Sequence, residues 1–213
     1  MNCIKHNTTR LLPPLLLVLL AGSSKAGFLD HENRSKAPIK DPEPSLFSVC
    51  YQHTCNVIDH VSLSRQQWQG VTARFKPAAA NAEQERHQIA AAIAYLEIEV
   101  GRQIDSLDDR GGNLEGAFKA RGNQLDCVDE STNSTTYLTT MERDNHLKVH
   151  SVQPRATRGF FIMGWPHSTA VIKEHGNGVL WAVDSWFFDN GTEPTIVALE
   201  KWRTGWSPPG AKH

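Results

Sequence analysis

The chain has 213 residues, with 22 lysines and arginines against 23 aspartates and glutamates and a formal charge of -1. This length fits one domain with its own hydrophobic core, so folding does not depend on several disulfides or a structural metal. The balanced charge lacks the basic excess of nucleic-acid binders, and no apolar run reaches the roughly 18 residues of a membrane-spanning helix. We therefore expect a globular protein that binds no nucleic acid and has no membrane span.

The first 26 residues have the layout of a secretory signal peptide. Lys5 and Arg10 precede the apolar run 11–21, and a small-residue cleavage pattern ends at Ala26. Cleavage there would remove three basic and no acidic residues, which leaves a formal charge of -4. We therefore expect a periplasmic or secreted protein, and the alternative is an uncleaved anchor.

Composition divides the rest of the chain into a leader, a domain and a tail. Residues 27–45 are polar, charged and rich in proline, as in a flexible leader. An ordered domain is predicted over 46–204, and residues 205–213 are expected to form a loose tail.

Three cysteines remain beyond the signal peptide. Cys50 and Cys55 are five positions apart and can close a small loop as a disulfide, which suits an oxidising compartment. Cys127 is then a lone thiol. The alternative is three buried thiols without chemistry, because free cysteine is often a core residue.

The predicted elements follow in chain order. Apolar residues spaced by three or four predict an amphipathic helix over 83–104. Asp126 is a good N-cap and acidic residues follow it, so a second helix is predicted to begin at Cys127. Short strands are then predicted over 147–153, 158–164, 167–174 and 179–188. Helices followed by antiparallel strands indicate an α+β fold.

Cys127 is the candidate nucleophile, because a helix N-terminus stabilises a thiolate. Asp126 and Asp129 act against this effect, since neighbouring negative charge disfavours a thiolate. The helix end alone is therefore insufficient, and a histidine partner is required.

Strand register identifies that partner and a carboxylate beside it. His167 opens a predicted strand, and a glycine-containing turn leads into the returning strand. If Glu174 pairs with Val179, Thr169 faces Asp184, and His167 is then a diagonal neighbour of Asp184 on the same side of the sheet. A one-residue bulge would reverse this result.

These residues, in this order, resemble the core of transglutaminase-like proteins within the papain-like superfamily. Leu125 to Asp129 match the family's cysteine at a helix start in an acidic context. His167 to Val171 match its histidine at the start of a strand, and Trp181 to Asp184 match its Trp-x-x-Asp on the next strand. The resemblance covers about residues 85–190. The aromatic residue after the family histidine and the glycine before Asp-Cys are absent.

The resemblance implies a papain-like or transglutaminase-like α+β core, with the helix bearing Cys127 packed on an antiparallel sheet bearing His167 and Asp184. It implies a thiol hydrolase that cleaves amide or peptide bonds through a thioester, with Cys127 as nucleophile, His167 as general base and Asp184 as orienting residue. The backbone N–H of Cys127 and the side chain of Gln124 are candidate oxyanion donors. The alternatives are a catalytically inactive binding module and a transglutaminase that transfers the acyl group to an amine.

No metal or cofactor is expected, and the expected partner is a peptide or protein substrate. His146 and His150 are four positions apart, like zinc ligands on a helix. Residues 147–152 alternate like a strand, however, and no third ligand is evident. Four tryptophans either line a substrate groove or belong to the core; these are Trp165, Trp181, Trp186 and Trp202.

Overall fold

A computed structural model describes residues 35–112, 123–159 and 166–211, and these ranges contain six strands and four helices. In chain order the elements are β1 (Phe47–Tyr51), β2 (Val57–Val61), α1 (Arg65–Ala73), α2 (Ala82–Ile104), α3 (Cys127–Arg143), β3 (His150–Arg158), β4 (His167–Glu174), β5 (Leu180–Asp184), β6 (Thr195–Ala198) and α4 (Leu199–Arg203). The mixture of helices with an antiparallel sheet agrees with the α+β prediction. The predicted signal peptide lies outside the described residues.

Both predicted helices are present, with starts within one residue of the predicted ones. The Asn81 side chain accepts the N–H of Gln84 and caps α2. The Asp126 carboxylate accepts the N–H groups of Val128 and Asp129, so α3 begins at Cys127. Both starts follow from short polar side chains that satisfy N–H groups without a partner inside the helix.

The strand boundaries differ from the predicted ones. Only residues 158 and 159 of the predicted strand 158–164 belong to the described part of the chain. The predicted strand 147–153 is present as β3, which begins at His150 and extends to Arg158, and its register shifts between Gln153 and Ala156. Pro154 lies in this shift, and a proline lacks the N–H that a regular ladder needs. Residues 160–165 are outside the described part of the chain. The predicted strand 179–188 ends at Asp184, where a turn begins.

Four strands form one antiparallel sheet in the order β3-β4-β5-β6. In the β4–β5 ladder, Ala170 pairs with Val183 and Lys173 pairs with Leu180. The predicted register is therefore confirmed, because no bulge interrupts this ladder. His167 and Asp184 consequently fall on one side of the sheet.

The two faces of the sheet pack against different helices. Ile172 and Val183 belong to the main core, together with apolar residues of α2 and α3. Val171 and Ala182 belong to a smaller cluster with Trp202 of α4. Helices therefore cover both faces of the central strands. None of the helices in the described ranges is long and apolar enough to span a membrane.

Strands β1 and β2 form a separate hairpin, which packs on α3. The Cys50 N–H donates to Asn133 Oδ1 at 2.6 Å, and Asn133 Nδ2 donates back to the Cys50 carbonyl at 2.8 Å. The predicted disulfide between Cys50 and Cys55 is present and closes the hairpin loop. In that loop residues 52–55 all have positive φ, which is strained for residues other than glycine.

The predicted leader is described from Ser35 onward. The Lys36 N–H donates to the carbonyl of Ile58, and the Ile39 N–H donates to Ser48 Oγ. These bonds attach the described part of the leader to the hairpin, although its composition predicted a flexible segment.

Candidate functional site

The centre of the site is a hydrogen bond between His167, the first residue of β4, and Asp184, the last residue of β5. His167 Nε2 lies 2.7 Å from Asp184 Oδ2, and the two side chains are 8% and 1% exposed. A carboxylate accepts hydrogen bonds, so Nε2 is the donor in this bond, and in the neutral imidazole Nδ1 then has the lone pair. Within the described ranges Nδ1 is buried and has no hydrogen-bond partner.

Aromatic rings surround the His167 imidazole. Its centroid lies 4.8 Å from the Trp186 ring, 5.3 Å from the Phe187 ring and 5.5 Å from the Trp202 ring. The Trp202 Nε1 also donates to Asp184 Oδ2 at 2.7 Å. This packing fixes the orientation of the imidazole and keeps the His167–Asp184 bond away from water.

The Cys127 sulfur lies at the start of β4. It is 3.9 Å from the Pro166 carbonyl oxygen, and it accepts the backbone N–H of Ser168. Pro166 and Ser168 are the two neighbours of His167 in the chain. The sulfur is therefore beside the backbone that carries the imidazole, but the described contacts include no hydrogen bond between the thiol and the ring.

The surroundings of Cys127 favour the neutral thiol. Burial raises the pKa of Cys127 to about 11; the Ser168 N–H opposes this shift, and the charges of Asp126 and Asp184 add to it. The sequence predicted that a helix N-terminus favours the thiolate and that neighbouring carboxylates oppose it. In the structure burial and the carboxylates outweigh the helix end, so the group is protonated at neutral pH.

The candidate oxyanion donor Gln124 has both of its polar side-chain atoms engaged. Its Oε1 accepts the Arg110 N–H at 3.2 Å, and its Nε2 donates to the Asp108 carbonyl at 3.3 Å. A role at the oxyanion stays a prediction, and Gln124 would have to release Asp108 to donate to a substrate.

His146 and His150, whose spacing resembles that of zinc ligands, have different partners in the structure. His146 Nε2 lies 3.0 Å from Asp144, whereas His150 Nδ1 lies 2.9 Å from the buried Glu85. In the described ranges one group of potential ligands converges, formed by Cys50, Cys55 and Asp129. Both sulfurs of that group are in the disulfide, so they are not thiolate ligands.

The described tryptophans that could line a groove or belong to the core have different surroundings. Trp186 and Trp202 pack on His167, whereas the Trp181 ring lies 3.7 Å from the Arg86 guanidinium, away from the imidazole. Trp165 lies outside the described residues.

A buried carboxyl cluster adjoins Asp184 and was not predicted. Ser185 lies beside both Glu97 and Glu130, and the Gly191 N–H donates to Glu97 Oε2 at 2.9 Å. Burial raises the pKa of Glu97 to about 8, and burial also raises that of Glu130 well above its ordinary value. Glu97 lies between the buried Leu96 and Val100 on α2. An acidic residue among core-facing positions of a helix was the sequence feature from which a buried carboxyl could have been predicted.

No protein-family model, curated protein or solved structure matches this chain.

Proposed function

We propose that this protein is an exported thiol hydrolase that cleaves amide or peptide bonds with Cys127, His167 and Asp184. One observation carries the proposal. His167 has one ring nitrogen bound to a buried carboxylate and the other buried without a partner, next to the backbone contacted by the only described free thiol. A histidine held in this way is arranged to accept a proton on its free nitrogen.

The chemistry assigns one task to each residue. Asp184 accepts the Nε2 proton and fixes the tautomer that leaves the Nδ1 lone pair available. As the Cys127 sulfur bonds to the acyl carbon, Nδ1 takes the thiol proton and the carbonyl electron pair moves to oxygen. Collapse of this oxyanion expels the amine, which takes the proton from His167. Water then attacks the thioester with His167 again as the base, the carbon–sulfur bond breaks to release the carboxylic acid, and the sulfur takes the proton back from His167.

The thiol must approach the imidazole for the first step. Catalytic hydrogen bonds are often long in the absence of substrate and tighten in its complex, so the lack of a described hydrogen bond between Cys127 and His167 does not rule out this role. Because the thiol is neutral, proton transfer has to accompany attack, unlike in enzymes with a preformed thiolate.

We also propose a protein family and a cellular compartment for this chain. The thiol at a helix start beside a strand bearing histidine, next to a strand bearing aspartate, supports a papain-like or transglutaminase-like core. The sequence layout of residues 1–26 and the disulfide between Cys50 and Cys55 support export to the periplasm or beyond the cell, because disulfides persist in oxidising compartments.

A second candidate is a binding module that keeps this fold without catalysis. The raised pKa of Cys127 and the lack of a described hydrogen bond to His167 favour it. A module of this kind would present a peptide-binding surface and leave the thiol chemically inert.

Acylation by p-nitrophenyl acetate separates the two candidates. The enzyme should form a thioester on Cys127 that mass spectrometry locates, and it should then lose the acetyl group to water. Cys127→Ala should form no thioester. Added glycine ethyl ester would intercept the acyl group if the protein transfers it to amines. A wild-type protein that stays unacylated at neutral pH would favour the binding module.

A further inference from the structure

Asp184 Oδ2 has two hydrogen-bond donors. The Trp202 indole Nε1 and His167 Nε2 each lie 2.7 Å from this one oxygen. Trp202 is fully buried, so water does not compete for its N–H. Two donors that approach from different sides restrict the rotation of a carboxylate much more than a single donor does.

Trp202 is itself held in place by the strands that carry the site. Helix α4 follows β6 directly, and Thr195 at the start of β6 pairs with Asp184. The Arg158 guanidinium lies 4.4 Å from the centroid of the Trp202 ring and donates to the carbonyls of Trp202 and Trp206. Arg158 also pairs with His167 across β3 and β4. Arg158 thus contacts Trp202, Trp202 contacts Asp184 and Asp184 contacts His167. The strand pairing of His167 with Arg158 completes the ring of contacts.

We propose that Trp202 is a positioning residue, whose indole N–H holds the Asp184 carboxylate in the orientation that fixes His167. The catalytic consequence rests on the proposed thiol-hydrolase function, whereas the effect on the imidazole does not. Trp202 does not act on substrate in this proposal. Trp202 positions Asp184, and Asp184 in turn positions the His167 imidazole, which takes the Cys127 proton.

The test compares two matched substitutions. Trp202→Phe keeps an aromatic ring against His167 but removes the N–H donor. Trp206→Phe makes the same chemical change four positions later, where the ring contacts Phe187 and Lys201 and no described bond reaches Asp184.

The direct readout is exchange of the His167 Nε2 proton with water, followed by NMR in ¹⁵N-labelled protein. We expect Trp202→Phe to accelerate this exchange about tenfold or more, because a buried hydrogen bond to a charged group is lost. Exchange of the Ile172 backbone amide, which lies in β4 like His167, should stay unchanged. General destabilisation of the protein would accelerate exchange of both the His167 ring proton and the Ile172 amide. Trp206→Phe should leave the ring proton at its wild-type rate. An unchanged His167 rate in Trp202→Phe would overturn the proposal.

The unsubstituted protein offers a second test in case Trp202→Phe does not fold. Protons on two nitrogens that share one acceptor lie close together, so a nuclear Overhauser cross-peak between the Trp202 indole proton and the His167 Nε2 proton is expected. Absence of this cross-peak, with both resonances observed, would contradict the shared acceptor.

Kinetics distinguish failure of this proposal from failure of the proposed function. If wild type is acylated by p-nitrophenyl acetate, Trp202→Phe should lower kcat about tenfold and leave KM unchanged. If wild type is never acylated, the hydrolase proposal fails, and the exchange and cross-peak measurements still decide the role of Trp202.

Discussion

His167 and Asp184 lie at the adjoining ends of neighbouring strands, and 2.7 Å separates the imidazole Nε2 from the carboxylate Oδ2. The bond is buried, and the second ring nitrogen is left without a described partner. The tautomer that this geometry selects is the one a general base on Nδ1 requires.

Replacing Asp184 by Asn should remove most of the acylation activity. An amide oxygen can still accept the Nε2 proton, but it carries no charge to stabilise the imidazolium that forms during attack. We expect the rate of Cys127 acylation to fall by roughly 10²- to 10⁴-fold, as measured with p-nitrophenyl acetate. Asp59→Asn, which removes a charge from a surface ion pair with Lys36, is the control and should retain the wild-type rate. Equal rates in wild type and Asp184→Asn would contradict an orienting role.

The reactivity of Cys127 toward iodoacetamide should rise steeply with pH. Because the pKa is raised to about 11, the thiolate fraction increases about tenfold for each pH unit between 7 and 10. Asp126→Asn should move this profile to lower pH, since the Asp126 charge is one cause of the raised pKa and Asn remains a good N-cap. Asp41→Asn, which removes one negative charge at an exposed site, is the control and should leave the pH dependence of the Cys127 reaction unchanged. A plateau of the wild-type rate below pH 8 would contradict the raised pKa.

The buried Glu97 should make the protein less stable as pH rises. Its pKa of about 8 in the fold exceeds the ordinary value of 4.5, so the folded state binds more protons than the unfolded state between those values. The free energy of unfolding should therefore fall between about pH 5 and pH 8. Glu97→Gln mimics the protonated carboxyl and should reduce this fall by about 1 kcal/mol or more in urea titrations. An identical pH dependence in wild type and variant would show that Glu97 is not the group responsible.

Opening the disulfide should loosen the first turn of the helix that bears Cys127. The N–H groups of Thr54 and Cys55 donate to Asp126 at 2.9 Å and to Asp129 at 2.6 Å. Replacing Cys50 and Cys55 by Ser frees the strained loop, so we expect about 2 kcal/mol lower stability in urea and faster amide exchange at Val128 to Glu130. Cys127→Ser leaves the bridge intact and is the control; it should lower stability less than removal of the bridge does. Unchanged exchange in the first turn after the bridge is removed would refute this coupling.

Local patterns were enough to predict several parts of the site. Asp126 predicted the start of α3, and the short turn between β4 and β5 predicted the register that brings His167 beside Asp184. Both predictions depend on interactions within one turn or one hairpin. The five-residue spacing of Cys50 and Cys55 likewise predicted their bridge.

Other parts depend on packing between distant segments and had no local signal. The bond from Trp202 to Asp184 exists because β6 adds to the sheet and α4 returns over it, and neither element was predicted. The neutral state of Cys127 depends on how deeply the sulfur is buried, which spacing does not reveal. The shift in β3 also escaped prediction, although Pro154 was its visible cause.

In the proposed mechanism His167 removes the proton from Cys127 during attack on an acyl group. The most direct test of this step is the rate of thioester formation at pH 7 in wild type and in His167→Ala, with His175→Ala at an exposed turn as the control. We expect a loss of roughly 10²-fold or more in His167→Ala and the wild-type rate in His175→Ala. Equal rates of thioester formation in wild type and His167→Ala would contradict this proton transfer.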